Sequence, residues 1–182
     1  DPMQALTAID RRRVTHWAAL PDTFRQMVAL PAEAIAAADC SSLQDLVIGG
    51  APASWALKSK IVAAFGPILS ESYGSTETGP ITLMPATSQT ERPGSCGRPL
   101  RGVTVEIRDA AGRRLPPDFV GEIWARTPRS LECDLIGERT RGPRDDDGFI
   151  ATGDTGRVDK DGFLYIATRA SGAPMPDMRP AG

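Results

Sequence analysis

The feature that most constrains the fold is an alternation of short apolar runs with an amphipathic helix. Residues 46–48 form a β-branched run that stops at the small-residue turn 49–52, and residues 53–65 then show helical apolar spacing. A second short apolar run follows at residues 68–69. Strand, helix and strand in this order predict a parallel sheet with crossover helices, in which ligands bind beyond the carboxyl ends of the strands.

The N-terminal residues repeat the same alternation. Residues 4–13 are predicted to form a helix, residues 14–20 a buried strand, and residues 22–30 a helix that starts after Pro21. The helix at 53–65 is expected to turn one face inward and the other outward. The inward set is Leu57, Ile61, Ala64 and Phe65, and the outward set is Lys58 and Lys60.

The stretch at residues 70–79 changes from an apolar start to small, polar and acidic residues. Gly74 and Gly79 supply turns that let backbone approach a ligand closely. An aromatic ring can stack on a base, hydroxyls and amides can hold phosphate oxygens, and a carboxylate can hold Mg²⁺. The residues of these types are Tyr73, Ser75, Thr76 and Glu77. A nucleotide triphosphate site and a polar turn without a ligand both remain open on these residues alone.

From about residue 90 the pattern becomes that of short strands. Alternating runs punctuated by glycine and proline predict an antiparallel sheet or small β-barrel, at residues 103–108, 121–126, 149–151 and 163–167. The fold class is therefore α/β followed by a small antiparallel β-rich subdomain. The expected domains are an α/β part at 1–90, a β-rich part at 91–169 and a proline-rich tail at 170–182.

Three acidic groups in the β-rich part differ in what they predict. Residues 159–162 are expected to form a hairpin turn, and residues 145–147 a solvated loop without a metal. Asp154 follows Thr152 and Gly153 at an expected strand end. A carboxylate there can accept bonds from the two neighbouring hydroxyls of a ribose.

Composition excludes several classes of function. The net charge is −2 with 21 basic and 23 acidic residues, so no basic surface for nucleic acid or anionic membrane is expected. No apolar run approaches the roughly 20 residues of a membrane span, and the cytoplasm is the expected location. The single histidine, His16, argues against Ser-His-Asp hydrolysis, and the three cysteines lack metal-site spacing.

The motif at 73–77, preceded by 49–52 and followed by 152–154, resembles the adenylate-forming superfamily. This superfamily includes acyl- and aryl-CoA synthetases, luciferases and the adenylation domains of peptide synthetases. The resemblance extends from about Val14 to Arg169. It implies that a carboxylate attacks the α-phosphate of ATP to give an acyl-adenylate and pyrophosphate, after which a thiol, here coenzyme A, takes the acyl group.

The resemblance also implies roles for individual residues. Tyr73 would stack on adenine with Glu71 near its exocyclic amine, Thr76 would contact phosphate, and Glu77 would hold Mg²⁺. Asp154 and Arg169 would bind the ribose. The remaining cofactor-binding residues are those of the turns, Gly50, Ala51 and Gly74.

Several parts of the family pattern are not matched. No phosphate loop with its lysine is found in residues 1–72, Thr168 replaces the hinge aspartate, and residues 170–180 do not resemble the small C-terminal domain. None of the three lysines, Lys58, Lys60 and Lys160, matches the catalytic one. The chain is therefore expected to be a central segment, inactive alone, that associates with the missing parts of the enzyme or with a second copy. The alternatives are an adenylation domain that loads a carrier protein and a non-catalytic nucleotide-binding or interaction module.

Overall fold

The computed structural model describes residues 1–130 and 144–168. Backbone contacts divide the chain into two compact units. The described residues of the first unit are Asp1–Glu71 and Met84–Gly94, and those of the second are Ser72–Leu83 and the described part of Ser95–Met175. The predicted boundary at residue 90 stays a prediction, and each unit is described by itself below.

The elements follow the predicted change from alternating helices and strands to strands alone. The helices are α1 (Pro2–Arg12), α2 (Pro21–Met27), α3 (Ala32–Ala37) and α4 (Trp55–Phe65), with a 3₁₀ turn at Ala86–Ser88. The first five strands are β1 (His16–Ala19), β2 (Asp45–Gly49), β3 (Leu69–Ser75), β4 (Gly79–Met84) and β5 (Arg98–Pro99). The last four are β6 (Thr104–Arg108), β7 (Gly121–Arg126), β8 (Ile150–Val158) and β9 (Leu164–Thr168).

The strands form two sheets. The first has five strands in the order β1-β2-β3-β4-β5, and the second has four in the order β6-β7-β8-β9. Strand β1 pairs parallel with β2, whereas β4 pairs antiparallel with β5 and the second sheet is antiparallel throughout. The predicted mixed α/β fold class is confirmed. In the described residues β6 and β9 are the edges of the second sheet, so the barrel alternative is not observed.

Helix α4 begins and ends where its flanking residues predict. The Ser54 hydroxyl accepts the Leu57 N–H at 3.2 Å, which satisfies one of the free donors of the first turn. Gly66 ends the helix with φ of +89°, a conformation that suits glycine. Leu57 and Ile61 enter the core as expected. The core of the first unit consists of Leu6, Ile9, Phe24, Met27, Leu43, Leu46, Ile48, Ala53, Leu57, Ile61 and Leu69.

The prediction that Lys58 faces outward is wrong. Lys58 is 3% exposed and its ammonium forms an ion pair with Glu71 of β3, whereas Lys60 is exposed as expected. Position 58 lies three residues before Ile61, so the two side chains share a face of the helix. The ion pair gives the lysine a counter-charge on that face, and a buried charge requires one.

The two acidic turns of the second unit also have clear structures. The Asp159 carboxylate accepts the Asp161 and Phe163 N–H groups at 3.0 and 2.8 Å, which confirms the hairpin turn. Asp145 departs from the predicted solvated loop, because it is ion-paired with Arg108 at 2.6 Å and accepts the Phe149 N–H at 2.8 Å. Its two acidic neighbours are exposed, as a solvated loop requires.

No helix of residues 1–130 and 144–168 has the length and apolar character needed to cross a bilayer.

Candidate functional site

Tyr73 and Asp154 form the centre of the candidate site in the second unit. The Tyr73 hydroxyl donates to Asp154 Oδ2 at 2.9 Å, although the two residues are 81 positions apart. Each residue is 5% exposed. Burial raises the pKa of the Tyr73 hydroxyl, and the neighbouring Asp154 charge raises it further. The hydroxyl therefore remains protonated at neutral pH and donates to the carboxylate.

Asp154 lies inside strand β8 rather than at a strand end, which corrects the prediction. Ala151 pairs with Trp124 and Thr155 with Glu122, so three residues of β8 oppose one residue of β7. The Thr152 hydroxyl donates to the Ile123 carbonyl at 2.9 Å and accepts the Asp154 N–H at 3.2 Å. Gly153 has φ of +73°. This bulge bends the strand locally and brings Asp154 to Tyr73.

The turn after β3 is held by hydroxyl groups. Thr78 is fully buried, and its hydroxyl accepts the Ser75 N–H at 3.1 Å and donates to the Gly79 carbonyl at 2.9 Å. The Thr78 N–H donates to the Ser75 hydroxyl oxygen at 3.3 Å. Thr127, directly after β7, closes the turn, because its hydroxyl donates to the Thr78 carbonyl at 2.7 Å. Thr78 and Thr127 therefore fix the loop on which Thr76 and Glu77 lie.

Gly74 is required where β3 approaches the next strand. A Cβ atom at position 74 would lie 2.3 Å from the Gly79 carbonyl oxygen, a backbone atom that cannot move aside alone. Gly79 itself has φ of +67°, which favours glycine. Gly74 lies within β3 rather than in a turn, which corrects the prediction, whereas Gly79 begins β4 directly after the turn and needs its positive φ.

Thr76 and Glu77 are both exposed on this turn. Hydrogen bonds from the Ser75 hydroxyl and from its own backbone N–H lower the pKa of Glu77. Its carboxylate is therefore ionised and accessible at neutral pH. Mg²⁺ in phosphate sites is usually bound by one or two carboxylates together with phosphate oxygens and water. In the described part of the chain no group of three metal-ligating side chains occurs, and a single accessible carboxylate fits that mode of binding.

Glu71 and Lys58 form the most buried ion pair of the described residues. Lys58 Nζ donates to Glu71 Oε2, with side chains 4% and 8% exposed. Burial raises the pKa of the Glu71 carboxyl, whereas the adjacent Lys58 charge lowers it. Strand β3 thus carries a buried carboxylate two residues before Tyr73.

The remaining predicted residues lie at the end of β2 or outside the described ranges. Gly50 and Ala51 are exposed just after β2. Gly50 has φ of +76°, and a Cβ atom there would lie 2.8 Å from Leu20 Cδ2. Arg169 lies outside the described residues, as does Cys133. That the turns at 49–52 and 73–77 face one crevice stays a prediction.

The sequence analysis missed three groups of residues whose buried contacts hold β3 and the turn after it. They are Lys58, Thr78 with Thr127, and Gln89. The Gln89 side chain is buried and donates to the Leu69 carbonyl at 2.6 Å. For Lys58 a signal existed, because positions 58, 61 and 65 follow helical spacing. Neither Gln89 nor Thr127 has such a signal, since their partners lie 20 and 49 positions away.

The second unit also has its own apolar core around Tyr73. Its buried members are Tyr73, Ile81, Cys96, Ile107, Ile123, Ala125 and Leu164. The Cys96 N–H donates to the Leu164 carbonyl at 3.0 Å, which joins the segment before β5 to β9. The ring of Tyr73 is therefore held by packing on the core as well as by the bond of its hydroxyl.

Comparison with known proteins identifies the family. The model of a family described as AMP-binding enzyme matches residues 1–133. The chain belongs to the AMP-binding enzyme family. A fatty acid–[acyl-carrier-protein] ligase, ScoC of Streptomyces coeruleorubidus, is 35% identical over 93% of this chain and 33% of its own length. The 4-coumarate–CoA ligase-like 6 of Oryza sativa subsp. japonica is 34% identical over 93% of this chain and 29% of its own.

A solved structure agrees with the fold of this AMP-binding family member. The amide bond synthetase McbA from Marinactinospora thermotolerans superposes with a TM-score of 0.83 at 34% identity. The match covers 94% of this chain and 35% of that structure. The chain thus spans about a third of the length of the relatives named here. The names of these three proteins describe a ligase for acyl-carrier protein, a CoA ligase-like protein and an amide bond synthetase.

Proposed function

We propose that the protein containing this chain activates a carboxylic acid with ATP and transfers the acyl group to coenzyme A. In the first step a carboxylate oxygen attacks the α-phosphorus of ATP, and the bond to the β-phosphate breaks to release pyrophosphate. In the second step the thiol sulfur attacks the acyl carbon, and AMP leaves. Family membership supports the adenylate-forming step, whereas the identity of the acceptor is inferred.

The observation that carries the proposal is the hydrogen bond between Tyr73 and Asp154. It joins two motif residues that the family resemblance assigns to the same nucleoside, the first to adenine and the second to ribose. A buried tyrosine hydroxyl needs a hydrogen-bond partner in any case, and here the partner is the carboxylate that the resemblance assigns to the ribose. In the proposed complex Glu71 lies near the exocyclic amine of adenine, and Asp154 and Arg169 bind the ribose. Gly50 and Ala51 of the turn after β2 and Gly74 of β3 lie against the nucleotide.

Glu77 and Thr76 are proposed to act on the triphosphate. Thr76 contributes a hydroxyl donor to a phosphate oxygen, and Glu77 holds Mg²⁺, which neutralises phosphate charge. Phosphoryl chemistry of this kind is carried mainly by positioning and by charge neutralisation. The low pKa of Glu77 supports this role, because the carboxylate is already ionised at neutral pH.

A carrier protein is the second candidate acceptor. The 35% identity to a fatty acid–[acyl-carrier-protein] ligase favours it specifically. Both acceptors present the same pantetheine thiol, so the two candidates share the first step and differ only in what docks for the second. As part of the proposal, we place the activity in the cytoplasm.

The proposal is tested in two stages on the full-length protein. Acid-dependent exchange of labelled pyrophosphate into ATP, measured over a panel of aliphatic and aromatic acids, reports the first step. With the active acid in hand, mass spectrometry of reactions with coenzyme A or a phosphopantetheinylated carrier protein reports the acceptor. ATP binding without exchange for any acid would instead favour a non-catalytic nucleotide-binding module.

A further inference from the structure

The ion pair between Lys58 and Glu71 is unusual in its surroundings. Both side chains are almost completely buried, Lys58 on helix α4 and Glu71 on strand β3. Taking two charges out of water costs free energy that their mutual attraction often fails to recover. An apolar pair of similar volume would pack at least as well at that place. Stability alone therefore does not account for the pair.

The two oxygens of Glu71 are in different situations. Oε2 accepts from Lys58 Nζ. Among the described residues Oε1 has no hydrogen-bond partner, and no fully buried side-chain oxygen or nitrogen lacks one. Oε1 is consequently in contact with solvent. The carboxylate is held in place through one oxygen and presents the other as an acceptor.

We propose that Lys58 is a positioning residue that keeps Glu71 as a fixed, charged acceptor and so makes the protein prefer a purine with an amino group at the 6-position, as in adenine, over one with a carbonyl there, as in guanine. The proposal rests on the proposed function, in which Glu71 lies near the exocyclic amine of adenine. It adds a residue, Lys58, and a consequence, discrimination between adenine and guanine nucleotides.

The chemistry of the two bases explains the expected selectivity. An ionised carboxylate can only accept hydrogen bonds, whereas a protonated carboxyl or an amide also donates. Adenine carries an amino donor at the position where guanine carries a carbonyl acceptor. A charged Glu71 therefore attracts adenine and repels guanine. A neutral residue at position 71 loses most of that preference.

Within residues 1–130 and 144–168, Lys58 is the charged side chain that opposes protonation of Glu71. Burial raises the pKa of Glu71 and the Lys58 charge opposes that rise. On the neighbouring strand β2, Asp45 accepts from the Ser70 hydroxyl at 2.8 Å. Lys60, the other cation of α4, is exposed. Without Lys58 the pKa of Glu71 rises further, and the carboxyl becomes protonated at higher pH.

The experiment measures ATP and GTP binding to the full-length protein by calorimetry, without an acid substrate. We expect Lys58→Met to weaken ATP binding roughly tenfold and to leave GTP binding unchanged or improved, since a charge-assisted hydrogen bond is lost. Glu71→Gln should lower the ATP-to-GTP preference in the same way. Lys60→Met, which removes an exposed lysine of the same helix, is the matched control and should bind like the wild type.

Two further measurements separate selection from a structural role. In Lys58→Met, ATP affinity should recover as pH rises through the raised pKa of Glu71, and Lys58→Arg should keep the wild-type preference. Equal weakening of both nucleotides in Lys58→Met, with an unchanged ratio at every pH, would overturn the proposal.

The double variant Lys58→Met/Glu71→Gln covers the case in which the single variant does not fold. It buries no charge, so it should fold, and its ATP-to-GTP ratio should equal that of Glu71→Gln. If the double variant and Glu71→Gln both keep the wild-type ATP-to-GTP ratio, the inference about Lys58 is overturned while the proposed function stands. If the wild type binds no ATP, the proposed function fails as well.

Discussion

At the scale of single residues, the position of Asp154 depends on both local and distant contacts. The bulge in β8 turns its backbone, and the Tyr73 hydroxyl holds its carboxylate. A residue that is to bind two ribose hydroxyls must keep a fixed orientation, because charged hydrogen bonds weaken steeply when misaligned. Tyr73 therefore has two proposed tasks, one through its ring and one through its hydroxyl.

Substitutions at these two positions separate the tasks. In the full-length protein Asp154→Ala should weaken ATP binding by about 1.5–3 kcal/mol, the range of charged hydrogen bonds. Tyr73→Phe keeps the ring and removes only the hydroxyl, so it should weaken ATP binding by less. Calorimetric titration with ATP measures both. Wild-type affinity in Asp154→Ala would show that the aspartate serves only the bulge.

Glu77 offers a test of catalysis as distinct from binding. Glu77→Gln keeps the size of the side chain and deletes its charge, which matters most while charge is redistributed at the α-phosphate. We expect a lower rate of pyrophosphate exchange at saturating substrates, with AMP binding nearly unchanged. Normal exchange at all Mg²⁺ concentrations would identify Glu77 as a structural residue of the turn, whereas a lower melting temperature would indicate that it anchors the loop.

At the scale of elements, helix α4 is joined to strand β3 by packing and by charge. Leu57, Ile61 and Leu69 belong to one apolar core, and Lys58 pairs with Glu71 beside it. Lys58 also lines a cavity of about 480 Å³ between α4 and the 3₁₀ turn. A charge at this place makes the stability of the first unit depend on pH.

The pH dependence has a definite sign. Because burial raises the folded-state pKa of Glu71 above its ordinary value of 4.5, its contribution to stability decreases as pH rises from 4.5 through the raised pKa. Lys58→Met raises that pKa further, so the variant should lose about 3–5 kcal/mol near pH 7 and much less near pH 4. Urea unfolding at both pH values measures this. A loss that is equal at both, or larger near pH 4, would contradict it.

The close approach at Gly74 predicts a second effect at this scale. Gly74→Ala places a methyl group against the Gly79 carbonyl oxygen, and the backbone must shift to relieve the contact. We expect a destabilisation of about 1–3 kcal/mol, typical of overpacking. Thermal unfolding measures the loss, and Thr76→Ala, a change on the exposed turn beside it, should leave the melting temperature unchanged. Equal melting temperatures for Gly74→Ala and the wild type would mean that the turn adapts.

At the scale of the whole molecule, each unit has its own buried core, and the chain corresponds to about a third of its relatives. The relatives named above differ in the activity that their names describe: one is a ligase for acyl-carrier protein, one a CoA ligase-like protein and one an amide bond synthetase. In the proposed function, these relatives and this chain share the first step, the activation of an acid with ATP.

This sharing leads to a prediction about the full-length protein. Acid-dependent exchange of pyrophosphate into ATP should proceed without coenzyme A, carrier protein or amine, because the acyl-adenylate forms before the acceptor reacts. The exchange rate in the absence of any acceptor measures it. A strict requirement for coenzyme A before any exchange would contradict a separate adenylation step.

Local pattern was sufficient for most elements and for the motif residues. The apolar runs and helical spacing predicted α1, β2, α4 and the strands of the second sheet, because these depend on near neighbours in the chain. The motif at 73–77 and the aspartate at 154 were likewise visible in the sequence, as residue types in a family order.

Contacts between distant residues were decided only by the tertiary structure. The burial of Lys58 depends on a carboxylate 13 positions later, and the orientation of Asp154 on a bulge set by β7. The turn at Thr78 is closed by Thr127, 49 positions away. Periodicity reports which face of an element is apolar, but the charge that a buried lysine meets depends on which strand packs there. The sequence by itself therefore determined the elements and the chemistry available, and the packing of those elements determined which groups meet.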